Sequence, residues 1–244
     1  MNTVISLNNK NIMVVGSSYI GKETALLCGQ VGAKIICVDD ENLKFGYEHN
    51  KHYIFPYRKP EAIEQNIKQL ISETGPIDGL VYIWNTDDFE EQRNSYVLQN
   101  IMEHYFYSFV EMIRCITKRD CFHPGLSIVA VPVISPIIEN SQLGCMLSVA
   151  KASVQAAIRC IAKEMAPNGR ANTVCFLPIK KDKTNNQETI LDRFNEETDL
   201  YGITRQDINS AANMIAFLLS DAARLITGSN IIIKPGACLS RGEI

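Results

Sequence analysis

The sequence predicts a doubly wound α/β fold, in which a parallel sheet of seven strands has helices on both faces. Two observations predict this fold. Short runs rich in Val and Ile alternate along the whole chain with segments of helical periodicity. Most strand candidates are apolar without a break, which is typical of parallel strands that are buried on both faces. The 244 residues are enough for one α/β domain, so residues 1–244 are expected to fold as a single unit.

The elements follow one another in a regular order. Gly32 ends the first helix candidate and Pro60 opens the second. The predicted strands are 11–15, 34–38, 52–55, 79–83, 126–133, 171–177 and 230–233. The predicted helices between them are 22–31, 60–74, 96–118, 144–165 and 205–219. This order predicts a Rossmann-like topology. Residues 180–200 are polar and lack apolar periodicity, which indicates a mobile loop over a substrate pocket.

Composition and charge exclude several classes of function. The net charge of −3 does not favour nucleic acid or an anionic membrane as a partner. Uninterrupted apolar runs such as 215–219 are too short to span a bilayer, and residues 1–10 do not resemble a secretion signal. Eight scattered cysteines without a C-x-x-C pair predict reduced thiols and a cytoplasmic location. The four histidines have no metal-ligand spacing, so we expect no metal site.

A glycine-containing turn follows the first strand. Gly16, Ser17, Ser18 and Gly21 lie between this strand and the first helix, where backbone N–H groups can bind phosphate. Asp39, at the end of the second strand, could accept hydrogen bonds from an adenosine ribose, which favours NAD(H) over NADP(H). The alternative is a tight turn without a ligand and an ordinary strand-end carboxylate.

Three segments together resemble the short-chain dehydrogenase/reductase family over nearly the full chain. The stretch 15–22 resembles that family's T-G-x-x-x-G-x-G turn, one residue short and with Tyr19 at the middle glycine. The tail, 220–223 followed by 227–231, resembles its "LSD…TG" signature. The stretch 147–151 resembles its Tyr-x-x-x-Lys helix, with Leu147 in place of the tyrosine.

The resemblance implies a catalytic set of which only half is present. The family's lysine and asparagine correspond to Lys151 and Asn100. Its tyrosine corresponds to Leu147, and its serine falls near Val133, with Ser135 two positions further on. A leucine side chain has no proton to donate. Lys151 could therefore be a remnant, a ribose ligand or an ordinary helix lysine.

Other positions that contact the cofactor in the family have become larger and less polar. Tyr19, Trp84 and Ile179 replace smaller groups, and Pro56 stands where the family has an aspartate. These substitutions would narrow a dinucleotide cleft.

Three functional interpretations remain open at this level. The first is a non-catalytic subunit that forms a homo- or hetero-oligomer, for example with an active paralogue, through the helices around 100–118 and 144–165. The second is an active NAD(H)-dependent oxidoreductase acting on an alcohol or ketone with a displaced proton donor. The third is a ligand sensor without turnover. The candidates for a displaced donor are Ser135, Ser148, Cys145, Tyr82 and Tyr105.

Overall fold

The computed structural model describes residues 5–16, 18–40, 51–84, 97–132, 142–176 and 205–233. The strands are β1 (Asn11–Val15), β2 (Lys34–Asp39), β3 (Lys51–Ile54), β4 (Ile77–Trp84), β5 (Phe122–Pro132), β6 (Gly169–Phe176) and β7 (Asn230–Ile233). They form one parallel sheet in the order β3-β2-β1-β4-β5-β6-β7. The predicted seven-stranded parallel sheet is confirmed.

Six α-helices lie in the described part of the chain, and their bounds differ from the predicted ones by a few residues. They are α1 (Tyr19–Gln30), α2 (Pro60–Thr74), α3 (Val97–Met102), α4 (Ser108–Ile116), α5 (Gln142–Met165) and α6 (Arg205–Leu219). Helix α1 begins three residues earlier than predicted because the Ser18 hydroxyl caps it. The single helix predicted at 96–118 is interrupted by a π-helical turn, Glu103–Tyr107, between α3 and α4.

Helices cover both faces of the sheet, as predicted. Alternate β-strand side chains point to opposite faces, so Met13 and Tyr82 belong to one buried cluster while Val14 and Val81 belong to the other. The first cluster lies against α2, α3, α4 and α5. The second lies against α1 and α6.

The two neighbours β1 and β4 mark the point where the strand order reverses. In open parallel sheets the crevice outside the carboxyl ends of such strands is the usual ligand site. Gly16 follows the last residue of β1, and Trp84 is the last residue of β4. Both residues therefore lie at the edge where a cofactor would be expected.

Arg170 is a buried cation that closes the carboxyl end of α6. Its guanidinium donates to the carbonyl oxygens of Leu218 at 2.7 Å, Ser220 at 3.1 Å and Ala223 at 3.2 Å. Each carbonyl also accepts from a second donor: the Ser127 hydroxyl at Leu218, the Ala223 N–H at Ser220 and the Ile226 N–H at Ala223. The arginine therefore adds charge-assisted hydrogen bonds to this buried helix end. Burial lowers the pKa of Arg170, and the nearby Asp221 carboxylate opposes that shift.

Helix α5 is unusually apolar for an amphipathic surface helix. By length and composition the segment Gly144–Met165 could cross a membrane, although Lys151, Arg159 and Lys163 interrupt its apolar runs. In the fold it lies on the sheet and contributes Leu147, Val154 and Ile158 to the core. Core helices of soluble proteins meet the same two criteria.

Candidate active site

The turn after β1 is built by contacts within the protein. Gly16 has φ of +95°, and a Cβ there would collide with the Ile83 carbonyl oxygen. A Cβ on Gly21 would lie 2.5 Å from the Gly16 carbonyl oxygen. The Ser18 hydroxyl accepts a hydrogen bond from the Gly21 N–H at 3.2 Å. Both glycines are thus required for the tight approach of α1 to β1, whether or not a ligand binds.

Asp39 lies at the end of β2, where the sequence predicted it, but its carboxylate is enclosed. The residue is 1% exposed, and its Oδ2 atom is hydrogen-bonded to Nε2 of His52 on β3. A carboxylate can accept further hydrogen bonds, but burial leaves this one little access for a ribose hydroxyl. The predicted contact between Asp39 and an adenosine ribose stays a prediction.

A second charged pair lies beside this one, between β2 and the segment that follows β3. The Arg58 Nε atom is 3.8 Å from Oδ2 of Asp40, and the guanidinium lies 5.6 Å from the centroid of the Tyr57 ring. Burial raises the pKa of Tyr57, and the positive charge of Arg58 opposes that increase. The Tyr57 hydroxyl lies next to Gly16, 3.4 Å from the position that a Cβ on this glycine would occupy.

An aromatic cluster fills the space between the end of β4 and α4. The Trp84 ring is stacked on that of Tyr105, with centroids 6.0 Å apart and an angle of 9° between the planes. Tyr82 and Phe109 complete the cluster, with centroids 4.6 Å and 5.2 Å from that of Trp84. All four side chains are buried, and the Trp84 indole N–H donates to the Tyr105 carbonyl oxygen at 3.0 Å. The aromatic cluster leaves Trp84 no solvent-facing surface at the candidate cleft.

Leu147, which the sequence resemblance predicts to stand at the position of the family's tyrosine, is fully buried. It is 0% exposed and belongs to the same buried cluster as Tyr82, Trp84 and Ala130. A proton donor at an active site needs access to the substrate oxygen. This position in α5 has the environment of a core residue.

Lys151 follows one turn later and lies near a small polar group on β6 and β7. The Cys175 thiol accepts a hydrogen bond from Gln155 Nε2 at 3.0 Å and donates to Asn230 Oδ1 at 3.1 Å. Burial raises the pKa of Cys175, while the hydrogen bond from Gln155 and the positive charge of Lys151 lower it in part. Lys151 itself is partly exposed. The positive charge of the lysine that the sequence identified therefore acts on a thiol that is hydrogen-bonded to Gln155 and Asn230.

The proposed displaced donors are not brought to Lys151 in the described part of the chain. Tyr82 and Tyr105 are buried in the aromatic cluster, and burial raises the pKa of Tyr82 well above its usual value. Cys145 and Ser148 are exposed on α5, and Leu147 between them is buried. Asn100 is partly exposed on α3.

Several predicted positions lie outside the described residues. They are Ser17, Val133, Ser135, Ile179 and the loop 180–200.

The polar group at Cys175 and the charged pair at Arg58 were not identified from the sequence. One signal was present for the first, because Lys151 and Gln155 are four residues apart and so share a helix face. Neither the thiol nor Asn230 stands out in the sequence, since they meet only when β6 pairs with β7.

Among the described residues, one group of side chains could hold a metal ion by distance alone. Ligand atoms of Glu64, Glu111 and Cys115 lie within 4.8 Å of one another. The two carboxylates already form ion pairs with Arg114, and Lys118 lies 2.8 Å from Glu64. This surface group is better described as an ion-pair network between α2 and α4.

Comparison with known proteins gives a full-length match. A family model described as Enoyl-(Acyl carrier protein) reductase matches residues 15–237. The chain is 26% identical to L-xylulose reductase of Caenorhabditis elegans over 245 aligned positions, covering 93% of this chain and 95% of that protein. A shorter match, 29% identical over 68 residues, is to the formate-dependent phosphoribosylglycinamide formyltransferase of Wigglesworthia glossinidia brevipalpis, of which it covers only 17%.

Solved structures share the fold over almost the whole chain. Ligand-free aldohexose dehydrogenase of Thermoplasma acidophilum has a TM-score of 0.76 at 21% identity, covering 98% of both chains. Enoyl-acyl carrier protein reductase of Bacillus cereus, solved with NADP+ and an indole naphthyridinone, has a TM-score of 0.69 at 19% identity, covering 93% of this chain and 96% of that one.

Proposed function

Because this chain belongs to the short-chain dehydrogenase/reductase family, we propose that it is a member whose catalytic site has closed and which works as a non-catalytic subunit. One observation carries the proposal: the position of the family's proton donor is a leucine that is 0% exposed. Without a donor at that position, Lys151 has no phenol whose pKa it could lower. Among the described residues, the other candidate donors are either buried in the aromatic cluster or exposed on α5.

The described residues fit a dinucleotide poorly. The Ser18 hydroxyl is used as a helix cap, the Asp39 carboxylate is held by His52, and Tyr57 lies against Gly16. We therefore derive no catalytic step through NAD(H) for this chain.

A fluorescence titration tests this proposal directly. Trp84 is the only tryptophan, and it lies at the end of β4 beside the candidate cleft, so quenching of its emission reports on ligand there. We expect no saturable quenching by NADH or NADPH up to about 1 mM, where binding free energy is only about −4 kcal/mol. N-acetyltryptophanamide titrated with the same nucleotide serves as the control for absorption by the nucleotide. Saturable quenching in the micromolar range would overturn the proposal.

A second function, that of an active oxidoreductase, is favoured by one observation. Lys151 is retained and lies near the hydrogen-bonded Cys175 thiol, which could stand in for the missing donor. In that case NADH oxidation with ketone substrates should be measurable and should be lost in Lys151→Met and in Cys175→Ala. Activity that survives both substitutions would exclude this arrangement.

The subunit role requires a surface for assembly, and the outer faces of α5 and of the α3–α4 helix supply one. Val149 is 52% exposed and Tyr107 54%, and Leu98 and Val110 are also exposed. Helix α5 has 24 residues and is thus about 36 Å long, and two adjacent helices of about 10 Å width present roughly 700 Å². A standard interface buries about 800 Å² on each partner. We propose that this face is covered in an oligomer.

Four exposed residues of α5 are arranged symmetrically in sequence. Cys145 and Cys160 lie at equal distances from the point between residues 152 and 153, and so do Val149 and Ala156. If two copies pack through antiparallel α5 helices about a two-fold axis at that point, Cys145 of each copy faces Cys160 of the other.

Cross-linking tests this arrangement. With added diamide, which takes up two electrons and two protons for each disulfide formed, we expect a covalent dimer on a non-reducing gel. Cys160→Ser should abolish it, and Cys115→Ser, at a buried thiol, should not. A monomer in sedimentation at micromolar concentration, without cross-linking, would contradict self-association. Co-purification with an active relative tests the heteromeric form. The cytoplasmic location of the protein stays a prediction.

A further inference from the structure

The helix from α3 to α4 carries a wide turn whose cause can be traced to named contacts. The Ser108 N–H donates to the Glu103 carbonyl oxygen, five residues earlier, which is the hydrogen bond of a π-helix. Such turns are rare, and they often occur at functional positions.

Part of the cause is the spacing of the core residues. Ile101, Tyr105 and Phe109 are all buried and follow one another at intervals of four. A regular α-helix has 3.6 residues per turn, so two such intervals turn the third residue away from the first by roughly 80°. The wider π-turn absorbs this difference, and all three side chains can face the sheet.

The second part of the cause is a hydrogen bond from outside the helix. The acceptor is the Tyr105 carbonyl oxygen, which lies within the π-turn. Here it accepts from the Trp84 indole N–H at 3.0 Å, in a buried environment, and the two rings are stacked. The Ser108 hydroxyl adds hydrogen bonds to the carbonyls of Glu103 at 2.9 Å and Arg58 at 2.7 Å.

We propose that the Trp84 indole is a latch that holds the Glu103–Tyr107 π-turn, and that this turn sets the rotation of α3 and of the Asn100 side chain it carries. When the indole bond is lost, the segment tightens to an α-helix. The five residues then rotate α3 by roughly 90° relative to α4, because each π-helical residue turns about 18° less than an α-helical one. Ile101 leaves the core, and Asn100 changes its place with respect to α5. Trp84 is thus a positioning residue for α3, whether or not the chain turns over a substrate.

Amide hydrogen exchange measures the latch in the unmodified protein. If the latch and the turn open as one unit, the Trp84 indole N–H and the backbone amides of 107–109 should exchange at a common opening rate. Unrelated opening rates for the indole and these amides would overturn the proposal.

Variants supply the second measurement. Trp84→Phe keeps an aromatic ring but removes the donor, and we expect exchange of the amides of 105–109 to increase about tenfold while the strands keep their protection. The matched control is Tyr82→Phe, a neighbour in the aromatic cluster whose buried hydroxyl has no partner among the described residues. This control should leave the exchange of 105–109 unchanged. If Trp84→Phe also leaves it unchanged, the spacing of the core residues alone holds the turn, and the latch does not exist.

Discussion

The replacement of Leu147 by tyrosine distinguishes a closed site from one that has only lost its acid. If the site were open, the new ring would point into the cleft and its hydroxyl would reach water. In the structure Leu147 is 0% exposed, so a larger ring has to enter a packed cluster with Tyr82 and Trp84. Overpacking of a core costs about 1–3 kcal/mol, and a buried hydroxyl without a partner costs roughly another 1–3 kcal/mol.

The free energy of unfolding of Leu147→Tyr should therefore fall by about 4 kcal/mol. For a domain of this size the midpoint temperature would fall by roughly 8–16 °C. Urea denaturation followed by Trp84 fluorescence and by circular dichroism measures the change. Leu147→Met, which keeps the volume, is the matched control and should cost less than about 1.5 kcal/mol.

A tyrosine variant as stable as the wild type would refute this reasoning. It would mean that the introduced hydroxyl has found water or a hydrogen-bond partner, and thus that the site is open. The same variant should then be assayed for NADH oxidation, because only the acid would have been missing.

Three further predictions concern stability and thiol chemistry. Arg170→Met should lower the free energy of unfolding by about 3 kcal/mol, because the Leu218 carbonyl and two others lose a charged donor. Arg170→Lys should recover part of the lost free energy, and an unchanged urea midpoint would contradict the capping role. Hydrogen bonds from Lys118 and neighbouring cations lower the pKa of Glu64. The contribution of Glu64 to stability is therefore present above the ordinary pKa of 4.5 and is lost as pH falls below that value. Glu64→Gln should flatten the acid limb of the curve of stability against pH, and an unaltered limb would disprove this contribution. Burial raises the pKa of Cys37 to about 12. Alkylation of the native protein at pH 8, measured by peptide mass spectrometry, should therefore modify the exposed Cys145 at least about 100-fold faster than Cys37. Equal rates at the two cysteines would show that β2 is open to solvent.

The sequence alone determined the class of fold and the order of its elements. Val- and Ile-rich strands alternate with helices, and the local pattern of apolar residues is enough to predict a parallel sheet with two covered faces. It also predicted, from the resemblance of 147–151 to the Tyr-x-x-x-Lys helix, that Leu147 stands at the position of the family's tyrosine. Element ends were predicted less well, because caps such as Ser18 and the π-turn after α3 depend on particular hydrogen bonds.

What surrounds each candidate residue was decided only by the tertiary structure. Asp39 looks like a free strand-end carboxylate in the sequence, and it is the pairing of β2 with β3 that brings His52 to it. Trp84 and Tyr105 are 21 residues apart, and only the packing of α4 on the sheet joins them. Burial and hydrogen-bond partners depend on contacts between distant segments. The sequence could therefore name Leu147 and Lys151, whereas the fold decided that the first is a core residue and that the charge of the second acts on Cys175.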